Sequence, residues 1–168
     1  MEALGRLFDI VPAFTPVDLN TNDGATGLRV HLKNCTGVTF VFFKGAGTAG
    51  ADPDLAIKQH TAASSGTTAD LAVATHFYRK EEATLDADET WTKVSQSASA
   101  TVDLGDASAE VEGLYVVEIS ANSLSDGYEW VSVNVAATAA NAQLGAGLYI
   151  LHGLNVQRAP AKLVQPQA

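Results

Sequence analysis

A chain of 168 residues with 46% hydrophobic and 17% charged side chains can bury one proper core, and it is not the composition of a disordered segment. Its net charge of −9 would repel phosphate backbones, which excludes a nucleic-acid reader. No apolar run approaches the length of a membrane span, so no membrane partner is expected either.

The charge is unevenly placed. Twelve acids and one base, Lys93, lie from Glu81 to Glu129; no acid follows, and the tail carries Arg158 and Lys162. This asymmetry reads either as a solvated acidic surface or as a basic tail lying on an acidic neighbour such as another subunit. Met1 to Phe14 holds early acids and Pro12 where a secretion signal has a basic start and an apolar core, so synthesis in the cytoplasm is expected. The Asn34-Cys35-Thr36 triplet is then a chance glycosylation match. Cys35 is the only cysteine, which rules out an intramolecular disulfide and a cysteine-based zinc site. It reads as a small buried hydrophobe.

Taken in chain order, residues 1–27 form an N-terminal arm. Leu4, Leu7, Phe8, Ile10, Val11 and Phe14 are apolar, and Pro12 and Pro16 prevent a long helix. Their side chains must be buried on the chain's own core or on a neighbour. Asn20 to Gly24 is a turn signal. A body of strands follows over 28–153. Leu28 to Lys33 alternates apolar and polar residues, and Val38 to Phe43 is a continuous apolar run that suits a central strand covered on both sides. Asp54 to Gln59, Asp70 to Arg79, Trp91 to Ser95, Ala100 to Leu104, Leu114 to Ile119, Tyr128 to Val135 and Leu144 to Leu151 complete the set. In Tyr128 to Val135 the three valines Val131, Val133 and Val135 face one way. Asn122 to Gly127 is a turn or one helical turn. Residues 154–168, with two prolines and no acid, read as an extended C-terminal arm. The spacing predicts an all-β fold: a single antiparallel β-sandwich, jelly-roll-like, with extended N- and C-terminal arms.

Candidate chemistry is sparse. Gly45-Ala46-Gly47-Thr48-Ala49-Gly50 has the glycine spacing of a dinucleotide loop, but Asp52-Pro53-Asp54 follows where a helix N-terminus is required. It reads as a plain loop. His31, His60, His76 and His152 are scattered without metal-site spacing. Asp86-Ala87-Asp88-Glu89 gathers three carboxylates without a known calcium-loop pattern and reads as a solvated acidic turn. Trp91 and Trp130 read as core or interface anchors, with a sugar-stacking platform as the lesser reading. No catalytic residue, cofactor or metal is expected.

Four segments together carry a resemblance: Leu28 to Gly47 (LRVHLKNCTGVTFVFFKGAG), Glu89 to Val94, Leu114 to Ser120 (LYVVEIS), and Gly127 to Val135 with Leu148-Tyr149-Ile150. Over residues 28–151 the chain resembles small structural proteins of tailed bacteriophages, particularly those that stud or cement the head. The resemblance implies a non-enzymatic virion protein on the outer surface of the capsid. It would bind across neighbouring major capsid protein subunits and assemble with itself, often as a trimer. Leu7, Phe8, Ile10 and Phe14 of the N-terminal arm and Val156, Arg158 and Leu163 of the C-terminal arm are the expected contacts. The rival readings are a low-copy tail or neck component, and a carbohydrate-binding module using Trp91, Tyr128 or Trp130.

Overall fold

The computed structural model describes residues 3–20, 24–50, 52–105, 110–138, 142–163 and 166–167. Among them are eleven strands: β1 (Phe8–Asp18), β2 (Val30–His31), β3 (Gly37–Lys44), β4 (Leu55–His60), β5 (Thr68–Asp70), β6 (Ala74–Glu82), β7 (Thr92–Ser99), β8 (Thr101–Val102), β9 (Glu112–Ser120), β10 (Trp130–Val135) and β11 (Leu144–His152). Two one-turn 3₁₀ segments, Ala121–Ser123 and Pro160–Lys162, complete the secondary structure. The strands make two antiparallel sheets, β1-β11-β3-β9-β6-β7 and β2-β10-β4-β5, with β8 paired to β4. The fold is the expected all-β antiparallel sandwich.

Period-2 alternation builds the core. Val38, Phe40 and Phe42 of β3, Tyr115, Val117 and Ile119 of β9, and Tyr149 and Leu151 of β11 point inward from the large sheet. Val131, Val133 and Val135 of β10 and Leu55 and Ile57 of β4 meet them from the small sheet. Stacking two faces in this way removes both from water, which is the main favourable term in folding. A second tie crosses between the sheets: the Val133 N–H donates to the Tyr149 hydroxyl at 2.8 Å.

The N-terminal segment lies on its own core. Residues 8–18 pair with β11 and form an edge of the large sheet. Pro12 and Pro16 lack an N–H for a ladder, so an edge position with register shifts between Pro12 and Phe14 and between Phe14 and Val17 accommodates them. Phe14, expected on an interface, is a core residue. Its ring packs 6.4 Å from Phe40 and 6.2 Å from Phe42, over Gly147 of β11.

Three other expectations are corrected. Leu28 to Lys33 contributes only the two residues of β2, paired with Trp130 and Val131. Asp70 to Arg79 is split: β5 ends at Asp70, buried Leu71 bonds back to Ile57, and the chain changes sheets before β6. The apolar strand β3 is central but covered on one side only, because the small sheet packs against one face of the large sheet. Thr39, Val41 and Phe43 therefore lie on its outer face.

The C-terminal segment folds back across the body. Arg158 N–H donates to Gly5 C=O, Asn155 N–H to Asn34 C=O, and His31 N–H to Pro166 C=O, each at 2.9 Å. The last of these bonds supplies a partner to the short edge strand β2.

Candidate interaction surface

The outer face of the large sheet is the most unusual surface of the molecule. Cross-strand register places Pro12, Leu148, Val41, Val116, Tyr78 and Lys93 in one row. Ile10, Ile150, Thr39 and Glu118 form the row on one side; Ala146, Phe43, Leu114 and Lys80 form the row on the other. Five rows-and-rim side chains are well exposed: Ile10 45%, Phe43 53%, Leu144 66%, Leu148 45% and Trp91 48%. Together they leave on the order of 500 Å² of apolar surface open, at the upper end of what an ordinary monomer shows. Charges stand at the margins, at Lys80, Lys93 and Glu118. Beside Lys93, the Tyr78, Trp91 and Val116 side chains line a shallow apolar hollow of about 270 Å³.

The expected arm contacts separate into two groups. Leu7 is exposed, and Ile10 joins the outer face through its pairing with Ile150. Val156 and Arg158 are exposed on the C-terminal segment, while Phe8 and Leu163 are half-buried. Arg158, Val156 and Leu163 line a separate cleft of about 170 Å³ with Asp9, His31 and Trp130. Burial in that region raises the Asp9 carboxyl above its ordinary range, against the opposing hydrogen bond from Ile10 N–H. The structure thus does not bring the expected contacts onto one surface. Trp130, named for a sugar platform, is buried under His31, with ring centroids 4.5 Å apart and planes within 12°.

Reactive-looking groups among the described residues are taken up by the fold. His60 lies buried with Nε2 2.8 Å from Ser132 Oγ and Nδ1 2.9 Å from Thr68 Oγ1. Burial, reinforced by the Arg29 and Lys58 charges, lowers its pKa to about 4. The neutral ring therefore joins two hydroxyls from different strands, and Ser132 is itself buried away from any substrate. Lys44 is buried at the end of β3 and donates to Val111 C=O at 2.6 Å. Its burial lowers the ammonium to about 8, against the opposing charges of Glu81, Asp52 and Glu110. Tyr115 donates to Glu81 at 2.7 Å, and Arg79 pairs with the same carboxylate at 3.0 Å. Burial and that hydrogen bond push the phenol up. Cys35 is buried, and desolvation pushes its thiol up to about 11, against the Gly37 N–H, which leaves it inert as a nucleophile.

Glu82 joins Asp88 and Glu89, all three with carboxylate oxygens within 4.8 Å of one another. Sequence reasoning named only the 86–89 stretch, because Glu82 comes to it through the turn after β6. The glycine-rich stretch after β3 is a loop leading to β4, with no helix behind it to hold a pyrophosphate. Among the described residues no helix is long and apolar enough to cross a membrane. Comparison with protein-family models, with curated proteins and with solved structures finds no match.

Proposed function

We propose that this chain is a non-enzymatic virion structural protein that decorates and stabilises a phage capsid by binding across neighbouring major capsid protein subunits. The observation that carries the reading is the outer face of the six-stranded sheet, where exposed Ile10, Leu148 and Phe43 stand around half-buried Val41 in one apolar surface. Its exposed apolar part is of the order of 500 Å², against the roughly 800 Å² that each partner contributes to a stable protein interface, so the polar margin of the sheet would complete the contact. Apolar residues at its middle and charges at its margin match the anatomy of such interfaces. The phage resemblance over 28–151 supplies the partner. Self-association, with a trimer favoured, belongs to the same reading, because a molecule that touches several subunits gains from effective concentration.

The test is co-sedimentation with shells of the source virus that lack this protein, using the full chain and Leu148→Asp. Saturable binding at high copy number, lost in the variant, is expected. Wild-type binding at a few copies per particle would move the protein to the tail or neck. Equal binding by the variant would remove the outer face from the interface.

A further inference from the structure

The outer face has one acidic corner. Register sets Glu82 of β6 opposite Glu112 of β9, and Asp88 and Glu89 bring carboxylate oxygens within 4.8 Å of that of Glu82. Lys80 and Lys93 stand nearby, over the Trp91 and Tyr78 rings, and Glu118 lies beyond Val116 on the same face of β9. The acids outnumber the two lysines, so the shallow apolar hollow of Tyr78, Trp91 and Val116 opens into negative surroundings. A partner that fits it carries positive charge beside apolar side chains.

A corner of that make-up is present on the same chain. Arg6 and Arg158 line a hollow of about 280 Å³ together with Gln157 and Ala159, and no acid lines it. The ion pairs among the described residues are His31 with Glu129, Lys58 with Asp70, and Arg79 with Glu81, so neither guanidinium is neutralised by one. Their closeness is built into the backbone. Arg158 N–H donates to Gly5 C=O, and Gly5, at φ +79°, lies so near that a Cβ on it would collide with the Arg158 carbonyl. Exposed Leu4 and Leu7 stand on the same turn as Arg6, and Lys162 is exposed on the one-turn segment after Arg158. The adjoining cleft holds Asp9, which these three bases outnumber; Glu2 lies outside the described residues.

Strand order and register put the two corners diagonally across the large sheet. Gly5 N–H bonds to Phe8 C=O, and β1 begins at Phe8 opposite His152, at the end where Gly37 and Ser120 also lie. Glu82 and Glu112 lie at the other end, past Gly113, Lys44 and Gly145. Strands β11, β3 and β9 separate β1 from β6. The two corners therefore cannot meet within one molecule.

We propose that the Arg6–Arg158 corner of one copy docks on the Trp91 corner of the next, head to tail. The guanidiniums face Glu82, Asp88, Glu89 and Glu112, and Leu4 and Leu7 lie on Trp91. A net charge of −9 holds copies apart in other orientations, so the pairing of unlike corners selects this one. Such a contact joins two different surfaces, and repetition closes it into a ring or extends it as a chain. The assignment rests on the self-association part of the reading above, supplies its interface, and does not depend on the capsid.

The test is sedimentation velocity of the full chain in solution, without shells, over a range of protein and salt concentration. Two charge-reversed variants, Arg6→Glu/Arg158→Glu and Glu82→Lys/Asp88→Lys, accompany the wild type. The wild type is expected to associate as its concentration rises and to dissociate as salt is added. Each variant alone should associate about tenfold more weakly or worse, the lysine variant included, although its net charge is smaller than that of the wild type. An equimolar mixture of the two should recover association, because each then offers the corner that the other lacks. A wild type that stays monomeric, variants that associate like it, or a mixture that stays monomeric overturns the proposal. Association lost in Leu148→Asp but kept in both charge variants puts the self-contact on the middle of the outer face and also overturns it. Binding to shells by a monomeric wild type would leave the capsid reading and remove this one; salt-sensitive association without shell binding would do the reverse.

Discussion

The hydroxyl of Tyr149, on the inner face of the large sheet, accepts the N–H of Val133 in the small sheet at 2.8 Å. Both residues are fully buried. β2 is only two residues long and pairs with Trp130 and Val131, so further along β10 the Val133 N–H has no β2 residue beside it. The phenol fills that place. Tyr149→Phe keeps the ring and removes the acceptor, leaving a buried donor unpaired. Stability is expected to fall by about 1–3 kcal/mol. Denaturant unfolding should show a lower midpoint with an unchanged slope.

Gly147 makes room for Phe14. A Cβ there would come within 2.5 Å of the Phe14 ring. Gly147→Ala is expected to destabilise the fold by about 1–3 kcal/mol through overpacking. Adding Phe14→Leu to it should recover part of that loss. A double-mutant cycle measures the coupling, and strict additivity would show that the two positions do not meet.

Core and outer face should separate by stability. Phe14→Ala, in the core, is expected to cost about 3–5 kcal/mol. Phe43→Ser and Leu148→Asp, on the open face of the same sheet, should change stability by no more than about 0.5 kcal/mol. Thermal and denaturant unfolding of the three variants checks this. A large loss for Leu148→Asp would place that side chain inside the packed structure.

His60 makes stability depend on acid. Its folded pKa of about 4 lies below the ordinary 6.5, so the unfolded chain binds the extra proton first. The stabilising contribution of the neutral ring is complete above the unfolded value and is lost as pH falls from about 6.5 through 4. The loss is on the order of 3 kcal/mol. Unfolding free energies of wild type and His60→Gln across this window should differ in slope, with the variant flatter. Parallel slopes would show that the ring is already charged in the fold.

The acidic stretch illustrates how far linear sequence reaches into a site. Asp86, Asp88 and Glu89 stand out as neighbours in the chain, but Glu82 joins Asp88 and Glu89, and Asp86 does not, only because the chain reverses after β6. Lys80 and Trp91 are eleven positions apart, and nothing in their spacing brings them together. Strands β6 and β7 pair Arg79 with Thr92, which sets the next residues out, Lys80 and Trp91, side by side. Phe14 was legible as a side chain needing burial, but its destination was not. The bulges around two prolines turn its ring inward, while Ile10, four residues earlier, stays outside.

What the sequence by itself determined is local. Alternation in Leu114 to Ile119 and Tyr128 to Val135, with turn residues between strands, dictates extended backbone and two distinct faces. That is enough for an all-β sandwich. Only tertiary structure decided which apolar faces are covered. Val38 to Phe43 is apolar on both sides, and its pattern is the same whether one layer or two packs against it. The small sheet has one inner surface and covers Val38, Phe40 and Phe42; Val41 and Phe43 are left open because no second layer lies over them in the described chain. A side-chain period of two distinguishes one face of a strand from the other, but coverage depends on residues distant in sequence, and no local pattern encodes it.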